Sequence, residues 1–365
     1  MHDSRDGQKG LHDPMNATSH GIPTLTPTAA GFLARHGHAG ARLEPLTGDA
    51  SSRRYFRLPE AELLLMEDRD DPIGFAAYLR LSHHLNTLGL AAPVVHGADP
   101  DHGLALVEDF GHRTYATCLN TGEDESTLYA LAVDALLHLH HHTGAARVSQ
   151  PVYDMTTLLD ELGIFSDWYA PAIAPDMDHP AFARQFHTLW EQALAPVAGQ
   201  VDTLVLRDFH VDNLMLLSQR KGVARCGLLD FQDAVLGPCE YDLVSLLQDA
   251  RRDLAPGLEE RMLARYINGA PERLGDAAAI RHRYALLGAQ RHARIAGVFL
   301  RLNRLHGKSR YLTYLPRVLG QLESSLAGAG LTDITDFLNT HLPGWQAKGT
   351  ALGDGSHDTQ GAPHD

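Results

Sequence analysis

The sequence predicts an α+β chain in two lobes, a small antiparallel β-sheet lobe with one helix followed by a larger, mainly helical lobe. Three observations carry this. Short strand-like runs crowd into residues 43–108, helical periodicity dominates nearly everything after Gly111, and 365 residues, 44% of them hydrophobic, suffice for two cores.

Residues 1–23 are rich in His, Asp, Gly and Ser and offer little to bury, so a disordered tail is expected there. The sheet lobe spans 24–108. Thr26-Pro27-Thr28 reads as a helix start, and the runs LEPL, RYFRL, LLLM, PVVHG and LALVE read as strands. Between the third and fourth runs, Phe75, Tyr78, Leu79, Leu85 and Leu88 recur at helical spacing until Gly89 stops them. A glycine that follows an apolar strand between two lobes makes residues 109–112 a hinge. Residues 113–343 form the helical lobe, with periodic segments at 127–143, 154–170, 180–199, 239–254, 258–268, 276–306 and 311–327, and 344–365 is expected to be a second disordered tail. His138, His140, His141 and His142 close an apolar helix, where a charge effect at the helix C-terminus fits better than a metal site.

The formal net charge of -14 argues against nucleic acid and anionic membrane as partners. Three cysteines without CxxC spacing imply no disulfide framework or zinc knuckle. No apolar stretch has the length of a signal peptide's core or a membrane span. A cytoplasmic monomer is expected.

The chemistry concentrates in LVLRDFHVDNLMLLSQRKGVARCGLLD, residues 204–230. Apolar runs flank Asp208 and Asn213, and a further run delivers Asp230. Phosphoryl transfer needs a carboxylate to orient and deprotonate a hydroxyl, and oxygen ligands for the magnesium that bridges ATP phosphates. Asp208 suits the first role, and Asn213 and Asp230 the second. ATP and Mg²⁺ are therefore the expected cofactors, with the hinge at Glu108 and Phe110 placed to meet an adenine. His210 is a candidate donor to the γ-phosphate, although a loop histidine facing water fits equally. Asp212 and Asp233 can hold a metal-bound water or cap a turn.

LRDFHVDNLML followed by GLLDFQDAVLGPCEYDLVSLL resembles the catalytic core of the aminoglycoside phosphotransferase and choline kinase group, within the protein-kinase-like superfamily. LTGDASSRRYFRL, LVEDFGHRTY, YDMTTLLDELGIFSDWY and AQRHARIAGVFLRLNRLHGKSRYLTYLPRV, in that order, resemble the bacterial anomeric N-acetylmuramate/N-acetylglucosamine kinases of cell-wall sugar recycling, over residues 25–330. The resemblance implies a protein-kinase-like two-lobed fold and transfer of the γ-phosphate of ATP to the anomeric hydroxyl of an amino sugar. Another small-molecule kinase of the group, acting on an aminoglycoside, choline or a related alcohol, is the alternative, and a non-catalytic nucleotide-binding scaffold is the rival outside enzymes. The resemblance also makes Asp242 a brace for the catalytic loop.

Two departures from the superfamily pattern stand out. Leu206 replaces the histidine that usually supports the catalytic loop, and no lysine lies between Lys9 and Lys221 to grip the α and β phosphates. GDASSRRYFRL is the candidate substitute grip, through Gly48, Ser51, Ser52, Arg53, Arg54 and Arg57. Strand alternation places Arg53 and Arg57 on one face and Arg54 on the other. For the acceptor, Glu161, Phe165, Trp168 and Tyr169 combine a carboxylate with aromatics, as sugar sites do, though such spacing also suits a helical core. Arg291, with His292, Arg294, Lys308 and Arg310, forms a basic cluster that can meet an acceptor carboxylate or the transferred phosphate, or simply make ion pairs.

Overall fold

The computed structural model describes residues 25–46 and 53–354. Its N-terminal part contains α1 (Pro27–Arg35), β1 (Glu44–Leu46), β2 (Arg54–Leu58), β3 (Leu63–Glu67), α2 (Pro72–Thr87), β4 (Val95–Asp99) and β5 (Leu104–Glu108). The strands form one antiparallel sheet in the order β1-β2-β3-β5-β4. Period-two alternation gives the sheet two apolar faces. Phe56, Leu58, Leu65, Leu104 and Leu106 pack against Ala29, Phe32 and Leu33 of α1, and Met66, Ala105 and Val107 join the larger core with Phe75, Tyr78, Leu81 and Leu85 of α2. Thr26 caps α1 by accepting from the Ala29 amide at 3.2 Å, and Asp71 caps α2 through the Gly74 amide at 2.8 Å. The sheet therefore has a helix on each face.

The remainder is mostly helical. After α3 (Tyr115–Asn120) and α4 (Glu125–His141), α5 (Met155–Ile164) runs through a π-helical turn at Phe165–Tyr169 into α6 (Ala170–Ile173), and α7 (His179–Leu194) follows. Four short strands come next: β6 (Thr203–Val205), β7 (Leu214–Leu216), β8 (Cys226–Leu228) and β9 (Val235–Gly237). The lobe closes with α8 (Glu240–Leu247), α9 (Leu258–Gly269), α10 (Ala277–His306), α11 (Leu315–Gly328), α12 (Thr332–His341) and α13 (Trp345–Asp354). The last of these corrects the expected tail over residues 344–354, while 355–365 lie outside the described residues. Trp345 is fully buried and its carbonyl accepts from the Tyr169 hydroxyl at 2.6 Å, so one large anchor holds a segment whose composition otherwise reads as tail. The expected tail at 1–23 lies outside the described residues.

Two antiparallel ribbons, β6 with β9 and β7 with β8, position the chemistry. The β6–β7 connection carries Asp208 and Asn213, and the β8–β9 connection carries Asp230. Pairing Leu214 with Leu228 and Val205 with Val235 brings the two loops side by side.

The long helix α10 approaches the π-helical turn so closely that Gly297 has no room for a side chain: a Cβ would lie 2.3 Å from the Ile164 carbonyl oxygen. Backbone cannot yield as a side-chain tip does. Gly297→Ala is expected to lower unfolding stability by about 2 kcal/mol or more, measured by urea denaturation.

The four histidines of the run turn to four separate partners. His138 bonds the Leu88 carbonyl at 2.7 Å, His140 the Tyr266 hydroxyl at 2.8 Å and His141 the Gly269 carbonyl at 2.7 Å, while His142 accepts from the Gly144 amide at 3.0 Å. Burial pushes His140 down to about 3, with Arg273 and His141 adding to it, and burial with Arg291 pushes His292 down to about 3 as well. Both rings are buried neutral. A base depressed on folding supplies stability that is complete above its ordinary pKa of 6.5 and is lost as pH falls toward 3. Each ring adds a slope of up to about 1.4 kcal/mol per pH unit across that window. Unfolding free energy is therefore expected to drop on acidification below 6.5, and to drop less steeply in a His140→Gln, His292→Gln double variant.

Candidate active site

The loop around Asp208 is held in an uncommon conformation. Arg207 sits at φ 68° and Asp230 at φ 57°, both left-handed without being glycine. The fully buried Asp242 fixes the first of these by accepting from the Leu206 amide at 2.6 Å and the Arg207 amide at 2.8 Å. The Arg207 guanidinium adds an ion pair with Glu161 and a bond to the Asp233 carbonyl at 3.4 Å. Asp242 and Glu161 thus support a loop that has Leu206 in place of the usual histidine. Burial pushes the Asp242 carboxyl up to about 7 against the pull of those two amides.

Asp208 itself is half-buried. Desolvation pushes its carboxyl up, but Arg291, His210, Arg294 and Arg207 together outweigh this and hold it below the usual carboxylate range. It is ionised at neutral pH. The Asp208 carbonyl accepts from Asn213 Nδ2 at 3.0 Å, which leaves Asn213 Oδ1 available as an acceptor. Asn213 Nδ2 is 3.5 Å from Asp230 Oδ2, and Asp230 Oδ1 accepts from Gln232 Nε2 at 2.9 Å. The Asn213 amide oxygen and the exposed Asp230 carboxylate, carried on two adjoining loops whose side chains touch through Asn213 Nδ2, are hard-oxygen donors of the kind that fit Mg²⁺. Among the described residues no group of three or more His, Cys, Asp or Glu gathers into a protein-only metal cage.

Several candidates fall elsewhere than expected. His210 is 5% exposed, with its Nε2 3.4 Å from Asn213 Nδ2; burial and Arg251 push its ring's pKa down, while Asp249 and Asp208 pull it up. Asp212 is 3.5 Å from Arg251, and Asp233 accepts from Gln232 at 3.0 Å. Phe165 and Tyr169 are core residues: both are fully buried, Phe165 stacks on Tyr169 at 4.7 Å and on Phe186 at 5.2 Å, and no sugar ring reaches them. Glu161 spends both oxygens inside the protein, on Arg207, on Gln290 at 3.2 Å and on the Tyr153 hydroxyl. Arg291 is 3% exposed and donates to Ser245 at 2.9 Å. Within the expected acceptor set, Trp168 keeps a partly exposed ring.

The phosphate-side residues divide in the same way. Gly48, Ser51 and Ser52 lie outside the described residues. The alternation of the arginines holds, with Arg53 and Arg57 side chains 8% and 10% exposed and Arg54 61% exposed. Arg54 pairs with Glu67 on the outer surface at 2.5 Å. Arg57 is a hinge clamp rather than a phosphate ligand, because its guanidinium binds the Asp109 carboxylate, the Gly111 carbonyl at 3.1 Å and the His112 ring. Arg53 pairs with Asp68 at 2.9 Å and lies over the Tyr78 ring at 5.8 Å, and Tyr78 stacks on Phe231, the neighbour of Asp230. Tyr55 belongs to the same patch: burial pushes its phenol up, Arg53 pulls it down, and Asp230 and Asp68 push it up further. Period-two spacing from Arg53 was the signal that could have flagged Tyr55. At the hinge, Glu108 pairs with Arg220, and the Phe110 ring packs on Gly227 and Leu217 with Arg220 5.2 Å above it. A cavity of about 550 Å³ opens at the lobe boundary, lined by Asp71, Gly74, Gln150, Gln232 and Asp233 among others.

A model of the phosphotransferase enzyme family matches residues 42–277, a span that includes both cleft loops, the hinge and the β2 arginines. The chain belongs to that family. Its relatives include an N-acetylmuramate/N-acetylglucosamine kinase of Caulobacter vibrioides, 34% identical across 86% of this chain and 96% of the relative. A protein of the same description from Neisseria meningitidis serogroup B is 33% identical across 75% of this chain and 82% of its own. Among solved structures, a choline/ethanolamine kinase family protein from Mesorhizobium loti superposes with a TM-score of 0.55 at 18% identity, covering 88% of this chain and 98% of that one. ADP-bound aminoglycoside phosphotransferase APH(2'')-Ib gives 0.55 at 16% identity, covering 84% and 99%. These likenesses show the protein-kinase-like fold. As a member of the phosphotransferase family the protein is an enzyme, which sets aside the scaffold reading. Among the described residues no helix is long and apolar enough to cross a membrane.

Proposed function

We propose that the protein transfers the γ-phosphate of ATP to the anomeric hydroxyl of N-acetylmuramate or N-acetylglucosamine. The observation that carries this reading is the relation to the Caulobacter kinase over 96% of that protein's length, joined to the side-by-side placement of Asp208, Asn213 and Asp230. Asp208 orients the sugar hydroxyl and accepts its proton as the bond to phosphorus forms and ADP departs. Asn213 and Asp230 would hold Mg²⁺, which when bound neutralises charge on the phosphates. Arg53, anchored by Asp68 beside Asp230 and Tyr55, takes the place of the missing lysine as the cation facing the phosphates. The main chain at Phe110 meets the adenine, held in place by the Arg57 clamp on the hinge. The sugar lies on the far side of Asp208, toward Trp168 and α10.

An ADP-release assay across N-acetylglucosamine, N-acetylmuramate, choline and an aminoglycoside tests the acceptor class. Release dependent on the amino sugars supports the reading, and release dependent on a cationic alcohol overturns it.

A further inference from the structure

The basic cluster behind Asp208 contains three guanidiniums, and they are not equivalent. Arg207 is engaged by Glu161 and the Asp233 carbonyl, and Arg291 is buried on Ser245. Arg294 is different. Its Nε stands 3.5 Å from Glu161 Oε1, beyond a hydrogen bond, its two terminal nitrogens have no partner among the described residues, and 24% of its side chain is exposed. The position follows from the helix: Arg294 lies four residues after Gln290, so both sit on the face of α10 that meets Glu161. An arginine fork offers five donors and no acceptor, and two uncommitted terminal nitrogens match a carboxylate in bidentate fashion.

We propose that Arg294 is a specificity-determining residue that binds a carboxylate carried by the acceptor, so that the enzyme favours an acidic amino sugar over its neutral counterpart. This rests on the amino-sugar reading above. The rival anion for the same fork is the transferring phosphoryl group. The arrangement of the cleft separates the two. The phosphate side is marked by Asp230, Arg53 and Tyr55, which act on one another, whereas Arg294 acts on Asp208 and Glu161 at the floor of the helical lobe. The carboxylate of N-acetylmuramate, carried on its lactyl ether, is the group that distinguishes that sugar from N-acetylglucosamine.

The test compares wild type, Arg294→Gln and Arg294→Lys with both sugars. The ratio of kcat/KM for N-acetylmuramate over N-acetylglucosamine is expected to fall about tenfold to a hundredfold in Arg294→Gln, with partial recovery in Arg294→Lys. An unchanged ratio, including an equal loss with both sugars as a phosphate-binding or purely structural arginine would give, overturns the proposal. Calorimetric titration of N-acetylmuramate in the presence of Mg²⁺ and a non-hydrolysable ATP analogue reads the same contact without turnover. Binding by wild type that weakens in Arg294→Gln supports it; equal binding by both, or none by wild type, overturns it. Binding without formation of a sugar 1-phosphate would reject the kinase reading above while leaving the Arg294 contact standing.

Discussion

Asp208→Asn is expected to bind nucleotide with near-wild-type affinity and to turn over about 10²- to 10⁴-fold more slowly. The substitution removes the proposed proton acceptor and leaves the surroundings in place, because Asn213 is held by the main-chain carbonyl of residue 208 and not by its side chain. The positive groups around Asp208 hold its carboxylate ionised but make it a weak base. That suits phosphoryl transfer, in which the bond to the leaving group loosens early and the acceptor hydroxyl gives up its proton late. The carboxylate's main task is then to orient the hydroxyl. Measuring nucleotide affinity by calorimetry and turnover by ADP release separates the two effects, and near-normal turnover would remove Asp208 from the mechanism.

Asp242→Ala is expected to lower stability by about 3–5 kcal/mol and to lower kcat in the protein that still folds. Without the carboxylate, the Leu206 and Arg207 amides are left buried with no acceptor, at about 1–3 kcal/mol each. The left-handed conformation of Arg207 loses the contacts that impose it, and Asp208 moves with its neighbour. Asp242→Asn keeps one oxygen acceptor and is expected to fall between wild type and alanine in denaturant midpoint and in kcat. A stable Asp242→Ala variant with unchanged kcat would show that the loop holds its shape by itself.

The elements were legible because their signals are local. Short apolar runs gave the strands of the sheet, which is covered on both faces, and period-3.6 runs gave the long helices, in which one buried face imposes the pattern. The spacing of Asp208, Asn213 and Asp230 was legible for the same reason: the loops that carry them are bounded by apolar strands of the two ribbons. What sequence could not supply was the identity of each partner. Alternation put Arg57 on the inner face with Arg53, yet only the folded hinge brings Asp109, Gly111 and His112 around it. Phe165 and Tyr169 have the spacing of a sugar platform and of a helix core alike, and the packing of Phe186 and Trp345 decides for the core. Arg291 and Arg294 differ by less than one helical turn, which buries one and leaves the other partly exposed.

The most direct measurement of the central claim is phosphorus NMR of the product formed from ATP, Mg²⁺ and N-acetylmuramate or N-acetylglucosamine. The account predicts a sugar 1-phosphate that accumulates in step with ADP and fails to form with Asp208→Asn. A 6-phosphate, or no phosphorylated sugar, would contradict it.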